Sequence, residues 1–281
     1  MPNVQPPAVD GDPASHPSLT DPDYRRRRDE IASLAAGPGE RPRHIDYLPS
    51  EDRTWRDVQA MLSPALERHA CAAVLDGRRR LGLATDHVEQ LDELSDRLEE
   101  LTGFRYEAVA GLVPKEQFFG SLARRRFLST QYVRHHDQPA YTPEPDVIHE
   151  VIGHATALAV PELAELHRLA GEAMLRLEAP EARQALSDVF WFSAEFGVVR
   201  EDGDWKAYGT GLLSSVGELQ WFRDNAEVRA VDPAAMAAQP YDISHYQPIL
   251  FGAESLDQVL EVVGGFFSSM TDDVVDQLAT G

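Results

Sequence analysis

Apolar residues recur at helical spacing along much of the chain, and this pattern predicts a mainly helical protein. In the stretch 87–101, Leu91, Leu94, Leu98 and Leu101 return every three or four residues with acidic residues between them. This spacing is typical of a helix that buries one face. Similar patterns predict helices over 28–36, 51–66, 117–127, 146–158, 161–177, 181–196 and 255–270, a turn leading into a helix over 208–219, and a strand or loop over 104–113.

The same pattern predicts one domain behind a flexible leader. Residues 1–23 contain six prolines among scattered Asp and Ser, a composition that buries too little apolar surface to offset the entropy of ordering it. No repeat and no linker rich in Pro, Gly or Ser divides 24–270, and 271–281 is expected to be a C-terminal tail. The predicted fold class is mainly α, a single-domain helical basket with a few short strands.

Charge and composition narrow the classes of function. The chain of 281 residues carries 26 Lys and Arg against 47 Asp and Glu, a formal net charge of −21, whereas binders of nucleic acids or anionic membranes need a basic surface. The basic run Arg25–Arg28 opens a predicted helix and is expected to be a solvated face. The single cysteine, Cys71, permits no disulfide within the chain. We therefore expect a cytoplasmic protein that binds neither nucleic acid nor membranes.

The chemistry is concentrated in the segment 146–154, where two histidines and two carboxylates stand among apolar residues. Zinc metalloproteases place two histidines four residues apart, with a glutamate as base between them. Here His149 and His154 are five residues apart, which separates them by roughly 140° on a regular helix at about 100° per residue. Gly153 offers a local distortion, such as a π-bulge or a helix end, that brings His154 back toward His149.

A third metal ligand is suggested by Glu195, a lone carboxylate in the aromatic run 190–196. Burying a carboxylate among aromatic rings is costly unless a cation compensates it. Two imidazoles and one carboxylate on one face suit Fe(II) with open coordination positions. Two other interpretations stay open: a zinc hydrolase with Glu150 as its base, and a metal-binding protein without oxygenase activity.

Beyond these residues, five segments resemble the tetrahydropterin-dependent aromatic amino acid hydroxylases, the phenylalanine hydroxylases most of all. They are TQYVRH at 130–135, YTPEPD at 141–146, HEVIGH at 149–154, WFSAEFG at 191–197 and YGTGLLSSVGELQ at 208–220. The resemblance is collinear from about residue 21 to residue 268. It implies that family's catalytic fold, with no counterpart of the regulatory domain or of the tetramerisation helix. We therefore expect a monomer or a weak dimer.

The resemblance assigns a role to each matching position. The positions that match the iron ligands are His149, His154 and Glu195. Those that match contacts to the tetrahydropterin are Gly111, Leu112, Val113, Phe118, Glu150 and Phe190. Those that match the binding site of the amino acid substrate are Arg134, Thr142, Pro143, Trp191, Phe196 and Ser214, with Arg134 as the clamp for the substrate carboxylate. Glu150 and Thr210 are the positions expected beside the reacting atoms, and Asp146 and Ser214 those expected to support an iron-bound histidine.

The implied activity is hydroxylation of the aromatic ring of a free amino acid with O2, a tetrahydropterin and Fe(II). L-Phenylalanine converted to tyrosine is the default expectation, with meta-tyrosine formation or tryptophan as a substrate as alternatives. These alternatives arise from departures from the family pattern. Leu128 stands where many relatives have His, Phe190 where they have Tyr, and Thr210 where they usually have Gly or Ala.

Overall fold

A computed structural model describes residues 16–274, and helices make up most of its regular structure. The α-helices are α1 (Pro17–Thr20), α2 (Pro22–Ala32), α3 (Pro49–His69), α4 (Ala72–Leu81), α5 (Leu91–Thr102), α6 (Lys115–Leu122), α7 (Thr156–Leu158), α8 (Pro161–Arg176), α9 (Pro180–Phe190), α10 (Thr210–Ser214), α11 (Glu218–Asn225), α12 (Pro233–Ala238), α13 (Leu256–Val259) and α14 (Gly265–Ser269). Three segments are π-helical: π1 (His149–Ala155), π2 (Trp191–Glu195) and π3 (Leu260–Gly264). The strands are β1 (Arg105–Ala108), β2 (Arg126–Ser129), β3 (Val198–Glu201), β4 (Asp204–Ala207), β5 (Glu227–Ala230) and β6 (Ile249–Ala253). The mainly α fold class is confirmed.

The helix with the clearest apolar pattern forms as the sequence predicts. In α5, Leu91, Leu94 and Leu98 are fully buried. Acidic residues in its first turn stabilise the helix by interacting with the positive end of the helix dipole. The helix ends at Gly103, whose φ of 81° lies in the left-handed region that glycine adopts without strain.

Helix formation begins within the stretch that the composition assigns to a flexible leader. Residues 16–23 of that stretch contain α1 and the start of α2, and His16 is buried against the edge of the Tyr141 ring. The prolines here stand in the first turn of a helix, where the missing N–H costs nothing, and Asp21 caps α2 by accepting from the N–H groups of Asp23 and Tyr24. Residues 1–15 of the leader and 275–281 of the tail lie outside the described residues.

Two small sheets accompany the helices. Strands β1 and β2 pair in parallel, with Tyr106 opposite Phe127. The second sheet has the order β4-β3-β6-β5, in which β6 runs parallel to both neighbours and β3 and β4 form a hairpin. Asp202 and Gly203 turn this hairpin with positive φ angles of 52° and 84°, a conformation that matches the twist of paired strands.

One extensive cluster of buried apolar side chains joins helices α3 to α14 with both sheets. Helices α6 and α8 approach closely at Gly171 of α8, because a Cβ atom there would lie 2.5 Å from the carbonyl oxygen of Phe119 in α6. The segment π1 leads directly into α7, and π2 directly follows α9. Both π-helical segments contact α10. No helix among residues 16–274 has both the length and the apolar character needed to cross a bilayer.

Candidate functional site

His149 and His154 lie on the same face of π1 and point at each other. In a π-helix the hydrogen bonds join residues five apart, so the five-residue spacing that separates two side chains on an α-helix brings them together here. The two Nε2 atoms are 3.2 Å apart. The distortion predicted at Gly153 is confirmed as a π-helix, and a Cβ atom at Gly153 would lie 2.8 Å from the carbonyl oxygen of Thr210 in α10.

The hydrogen bonds around His149 fix which of its nitrogens carries the proton. Its Nδ1 lies 2.7 Å from the hydroxyl oxygen of Ser214, and that hydroxyl lies 2.9 Å from the carbonyl oxygen of Thr210. Because a carbonyl only accepts, Ser214 donates to Thr210 and accepts from the Nδ1–H of His149. This leaves the Nε2 of His149 as a lone pair that faces His154.

Two carboxylates reach the histidine pair. An Oε1 of Glu195, at the end of π2, lies 3.4 Å from the Nε2 of His154, while its Oε2 accepts a 2.6 Å hydrogen bond from the hydroxyl of Thr210. The carboxylate of Glu150 lies 3.9 Å from the same nitrogen. His149, Glu150 and His154 each offer a ligand atom within 4.8 Å of the others'. The site therefore offers two nitrogen ligands and a choice between two carboxylates.

Burial sets the charge state of these groups. Burial, together with the neighbouring His154, lowers the pKa of His149 to about 4, and burial lowers the pKa of His154 well below its ordinary value. Burial, reinforced by the charges of Glu195 and Asp146, raises the pKa of Glu150 well above its ordinary value. Both imidazoles are therefore neutral at neutral pH, and the approach of Glu195 to His154 is not an ion pair.

Neutral imidazoles whose Nε2 atoms converge, with a carboxylate beside them, match the donor set of a divalent metal. Two nitrogens bound at about 2.1 Å and near a right angle to one ion lie roughly 3 Å apart, and the observed separation is 3.2 Å. Imidazole and carboxylate ligands suit iron and other divalent transition metals. The residues present thus fit a single metal ion at this position.

Arg134 and Asp146 form a buried ion pair beside the histidines. The Nη2 and Nε of Arg134 donate to the two carboxylate oxygens of Asp146 at 2.7 and 3.1 Å, and Nη1 donates to the carbonyl oxygen of Pro139. The same carboxylate accepts from the backbone N–H of His149. These bonds use three of the five N–H groups of the guanidinium and link it to the start of π1. Asp146 thus supports His149 through its backbone, and Ser214 supports it through its ring.

The residues that the resemblance assigns to the pterin are partly brought together. The ring of Phe118, in α6, packs edge-on against those of Phe127 and Phe190, with centroids 5.5 and 6.2 Å apart. The loop 111–113 follows β1, and its Leu112 is 81% exposed. The structure therefore brings the rings of Phe118 and Phe190 into contact, whereas the loop 111–113 is assigned to the pterin by resemblance alone.

The residues assigned to the substrate pocket include an aromatic stack at π2. Trp191 stacks face to face on Tyr241, with centroids 4.6 Å apart and planes 13° apart, and packs against Phe196 at 4.8 Å. Thr142 and Pro143 are half-buried in the loop that leads to Asp146, where the hydroxyl of Thr142 donates to the carbonyl of Glu144.

Two residues near the site were missed by the sequence reasoning. Tyr241 lies 50 positions from its stacking partner Trp191, and nothing in the sequence links the two. His167 is buried in α8, and its ring lies edge-on to that of His154 with centroids 6.3 Å apart. Its position on the buried face of α8, among Leu163, Leu166 and Ala170, is a signal that was available from the helical spacing.

The comparisons with known proteins agree with this geometry. The family model described as biopterin-dependent aromatic amino acid hydroxylase matches residues 8–275. A phenylalanine 3-hydroxylase of Streptomyces coeruleorubidus is 42% identical over 268 residues, which cover 95% of this chain and 96% of that protein. A tyrosine 3-monooxygenase of Drosophila melanogaster is also 42% identical, over 92% of this chain and 45% of its own length.

Solved structures show the same fold. The cobalt-bound phenylalanine hydroxylase from Chromobacterium violaceum superposes with a TM-score of 0.83 at 28% identity, covering 92% of this chain and 94% of that one. The match of the family model over nearly the whole chain and the likeness of fold lead to one conclusion: the chain belongs to the biopterin-dependent aromatic amino acid hydroxylases.

Proposed function

We propose that this hydroxylase acts on free L-phenylalanine and places the hydroxyl group at the meta carbon of the ring, giving meta-tyrosine. The observation that carries the proposal is the 42% identity to a phenylalanine 3-hydroxylase over 96% of that protein's length. Para hydroxylation to tyrosine, the default expectation from the sequence, is the second candidate. It is supported by the fold of the Chromobacterium violaceum phenylalanine hydroxylase and by a phenylalanine-4-hydroxylase of Caenorhabditis elegans that is 40% identical.

The metal site of the proposed enzyme is formed by His149, His154 and Glu195, which would hold Fe(II). Their support for this role is the converging pair of Nε2 atoms and the carboxylate oxygen 3.4 Å from one of them. When bound, iron and tetrahydropterin together supply the activation of O2. The chain itself contributes positioning of the reactants and exclusion of water from a site whose histidines and carboxylates are largely buried.

Glu150 has a different role in this proposal, because burial and the charges of Glu195 and Asp146 raise its pKa and so favour the neutral carboxyl group. A neutral carboxyl group donates a hydrogen bond, and this one lies beside the metal ligands, 3.9 Å from the Nε2 of His154. We assign it to the tetrahydropterin, together with Phe118, whose ring would stack on the pterin, with Phe190 beside it, and with the backbone of the loop 111–113.

The amino acid substrate is held at both ends. Arg134 retains two N–H groups that Asp146 and Pro139 do not use, and a fork of two N–H groups binds a carboxylate through two parallel hydrogen bonds. Trp191 and Phe196 offer aromatic surface for the ring of the substrate, with Thr142, Pro143 and Ser214 completing the wall. This arrangement selects a free amino acid, because a peptide has no carboxylate at that position.

Thr210 is the residue that we connect with the position of hydroxylation. It is fully buried, and its hydroxyl contacts both Glu195 and, at 3.5 Å, His154. The Cβ and methyl group of threonine occupy space that is free when the residue is glycine. We infer that this added bulk beside the metal ligands displaces the ring of the substrate and presents its meta carbon.

Product identification tests the proposal directly. The purified enzyme with Fe(II), O2 and tetrahydrobiopterin is given phenylalanine, tyrosine or tryptophan, and the products are separated against ortho-, meta- and para-tyrosine standards and identified by mass spectrometry. We expect meta-tyrosine from phenylalanine as the main product. Para-tyrosine as the main product would replace the first candidate by the second, and turnover of tryptophan or tyrosine alone would contradict both.

The ligand assignment is tested in the same assay. His149→Ala and Glu195→Ala are expected to abolish product formation while the far-ultraviolet circular dichroism of the folded protein persists. Glu150→Gln, which preserves the shape of the carboxyl group, is expected to retain metal binding. Full activity in either alanine variant would overturn the assignment of that residue as a ligand, and loss of metal from Glu150→Gln with retention in Glu195→Ala would overturn the choice of carboxylate.

The setting of the enzyme follows from its chemistry and composition. We propose that it works in the cytoplasm, where free amino acids and reduced cofactors are available, and as a monomer or a weak dimer. Sedimentation velocity over a range of protein concentrations measures the second point, and a stable tetramer would contradict it.

A further inference from the structure

The second histidine of the proposed metal pair lacks a partner for its outer nitrogen. The Nε2 of His154 faces His149 and Glu195, so its Nδ1 points away from the metal position. Among the described residues, this Nδ1 is buried and has no hydrogen-bond partner. His149, by contrast, donates its Nδ1–H to Ser214. Metal-bound histidines almost always donate this N–H to another group, because the bond fixes the tautomer and the orientation of the ring.

His167, on α8, also has a ring nitrogen, its Nε2, without a hydrogen-bond partner in the described part of the chain. Its Nδ1 lies 2.7 Å from the carbonyl oxygen of Leu163, one turn earlier in α8. A carbonyl only accepts, so the Nδ1 of His167 carries the proton and its Nε2 is an acceptor in the neutral ring. Within residues 16–274 this buried Nε2 has no partner either. When the Nε2 of His154 binds a metal, its Nδ1 carries the proton, so that one unsatisfied donor and one unsatisfied acceptor belong to neighbouring rings.

The geometry of the two rings suits a connection through one water molecule. Their centroids are 6.3 Å apart and their planes are nearly perpendicular, at 86°. If the free nitrogens face each other, this separation leaves about 4 Å between them, too long for a direct N–H···N bond but spanned by two hydrogen bonds that meet at one oxygen. The rings of Phe127 and Phe190 pack against His154 and His167, respectively, and aromatic rings offer no competing acceptor of comparable strength.

We propose that His167 is a positioning residue for the metal site: its Nε2 receives the Nδ1–H of His154 through one buried water and so holds the imidazole in the orientation for metal binding. The inference rests on the assignment of His154 as a metal ligand in the proposed function. The two ligands are then supported differently, His149 by a hydroxyl on α10 and His154 by an imidazole on α8. The orientation of His154 at the metal site thereby depends on how α8 packs against π1.

A matched pair of variants tests this role without relying on turnover. His167→Gln places an amide oxygen near the position of Nε2, and His167→Met has nearly the same shape without a strong acceptor. Both lose the bond to Leu163, so a difference between them isolates the acceptor. The affinity of the metal-free protein for Co(II) is measured by competition with a chelator, and the ligand-field absorption of bound Co(II) reports the geometry of its ligands.

We expect His167→Met to bind Co(II) about 10- to 100-fold more weakly than the wild type, the range typical of removing a group that supports a ligand. His167→Gln is expected to remain within a few-fold of the wild type and to keep its Co(II) absorption spectrum. His69→Leu, which removes a half-buried histidine at the end of α3 that packs against Phe222, serves as the control and should leave the affinity unchanged.

Equal affinities and equal spectra for the Gln and Met variants would overturn the role of His167. A different result bears on the proposed function itself: if the wild type binds no Co(II), or if His154→Ala binds it as tightly as the wild type, the ligand assignment fails. The two failures are therefore distinguishable in one titration series.

Discussion

At the scale of single residues, the site is organised by hydroxyl groups as much as by its charged groups. Ser214 and Thr210 are on one short helix, α10, and each contacts a different proposed metal ligand, His149 or Glu195. A hydroxyl both donates and accepts, so it can fix a neutral imidazole and an ionised carboxylate with the same chemistry. Substitutions here are expected to change how the ligands are oriented before they change how the protein folds.

Thr210 allows its two contributions to be separated. Thr210→Val keeps the branched shape but removes the donor to Glu195, so we expect Co(II) to bind about 10-fold more weakly with little change in the ratio of meta- to para-tyrosine. Thr210→Ala removes the bulk as well, and we expect the ratio to shift toward para-tyrosine. Chelator competition and chromatography of the products measure the two effects. An unchanged product ratio in Thr210→Ala would contradict the steric role.

Glu218, away from the metal ligands, predicts a dependence of stability on pH. It is buried at the start of α11, where it accepts from the backbone N–H of Gln247, and burial raises its pKa from about 4.5 to about 7. Between these values the folded state keeps a proton that the unfolded state releases. This group therefore lowers the free energy of unfolding as pH rises from 5 to 7, by about 3 kcal/mol at most.

Glu218→Gln removes this titration while preserving the acceptor for Gln247. Urea denaturation at several pH values should show a smaller fall in the free energy of unfolding for the variant than for the wild type between pH 5 and pH 7. Glu93→Gln, in the first turn of α5, provides a comparison at an exposed position. Parallel curves for the wild type and Glu218→Gln would contradict the buried titration.

At the scale of elements, the π-helical segments do what an α-helix with the same sequence does not. In π1 the extra residue per turn aligns His149 with His154, and in π2 it ends the helix at Glu195, where the N–H of Phe196 donates to the carbonyl of Trp191 five residues earlier. Both segments continue regular helices, α7 and α9. The ligands are thus held by rigid elements at the points where those elements change their winding.

Gly153 is the residue on which the packing of π1 depends. A Cβ atom there would lie 2.8 Å from the carbonyl oxygen of Thr210, so Gly153→Ala forces π1 and α10 apart. We expect a loss of about 1–3 kcal/mol in the free energy of unfolding, as for overpacking elsewhere, together with weaker Co(II) binding. Thermal denaturation and chelator competition measure the two losses.

Gly265→Ala is the matched control, because nothing lies within 4 Å of the added Cβ atom at the start of α14. Replacing a helical glycine by alanine at an open position stabilises by up to about 1 kcal/mol. Equal effects of the two substitutions would show that the close contact at Gly153 is unimportant.

The helices could be predicted from the sequence better than the sheets could. Strongly patterned segments such as α5 form where predicted, whereas β5, with four residues that are mostly exposed, gives no alternating signal. Helix α4 was also missed, because Asp76, Gly77 and a run of arginines weaken its apolar pattern. The pairing of strands that are far apart along the chain, such as β3 and β6, depends on tertiary packing.

Within the site, local spacing was informative and side-chain pairing was not. The five-residue interval between His149 and His154, with Gly153 inside it, predicted the distortion that the structure has. The pairing of Thr210 with Glu195 and the approach of His167 to His154 depend on how α10 and α8 pack. No periodicity within a single segment contains that information.

At the scale of the whole molecule, the site is built into the same apolar core that stabilises the fold. Residues from π1, π2, α8 and α10 all belong to that one cluster, so metal binding and global unfolding are coupled. A ligand at 100 times its dissociation constant stabilises the folded state by about 2.7 kcal/mol, which corresponds to a rise in melting temperature of roughly 5 °C for a chain of this size.

Differential scanning calorimetry tests this coupling. We expect one transition that moves upward by about that amount when Co(II) is added, and no shift in His149→Ala under the same conditions. Two transitions, only one of which responds to Co(II), would instead indicate that the metal site unfolds separately from the rest of the core.

The single residue that distinguishes π1 from an α-helix has a consequence for how this metal site relates to others. Deleting Gly153 would leave His-Glu-Val-Ile-His, the arrangement in which a zinc metalloprotease carries two ligands and its base. One residue therefore separates the two spacings of the histidine ligands. Its deletion rotates the residues that follow it in the helix by about 100° relative to those before it. Insertion or loss of one residue in a helix is thus a route between oxygen-activating and hydrolytic metal sites that requires no new ligand.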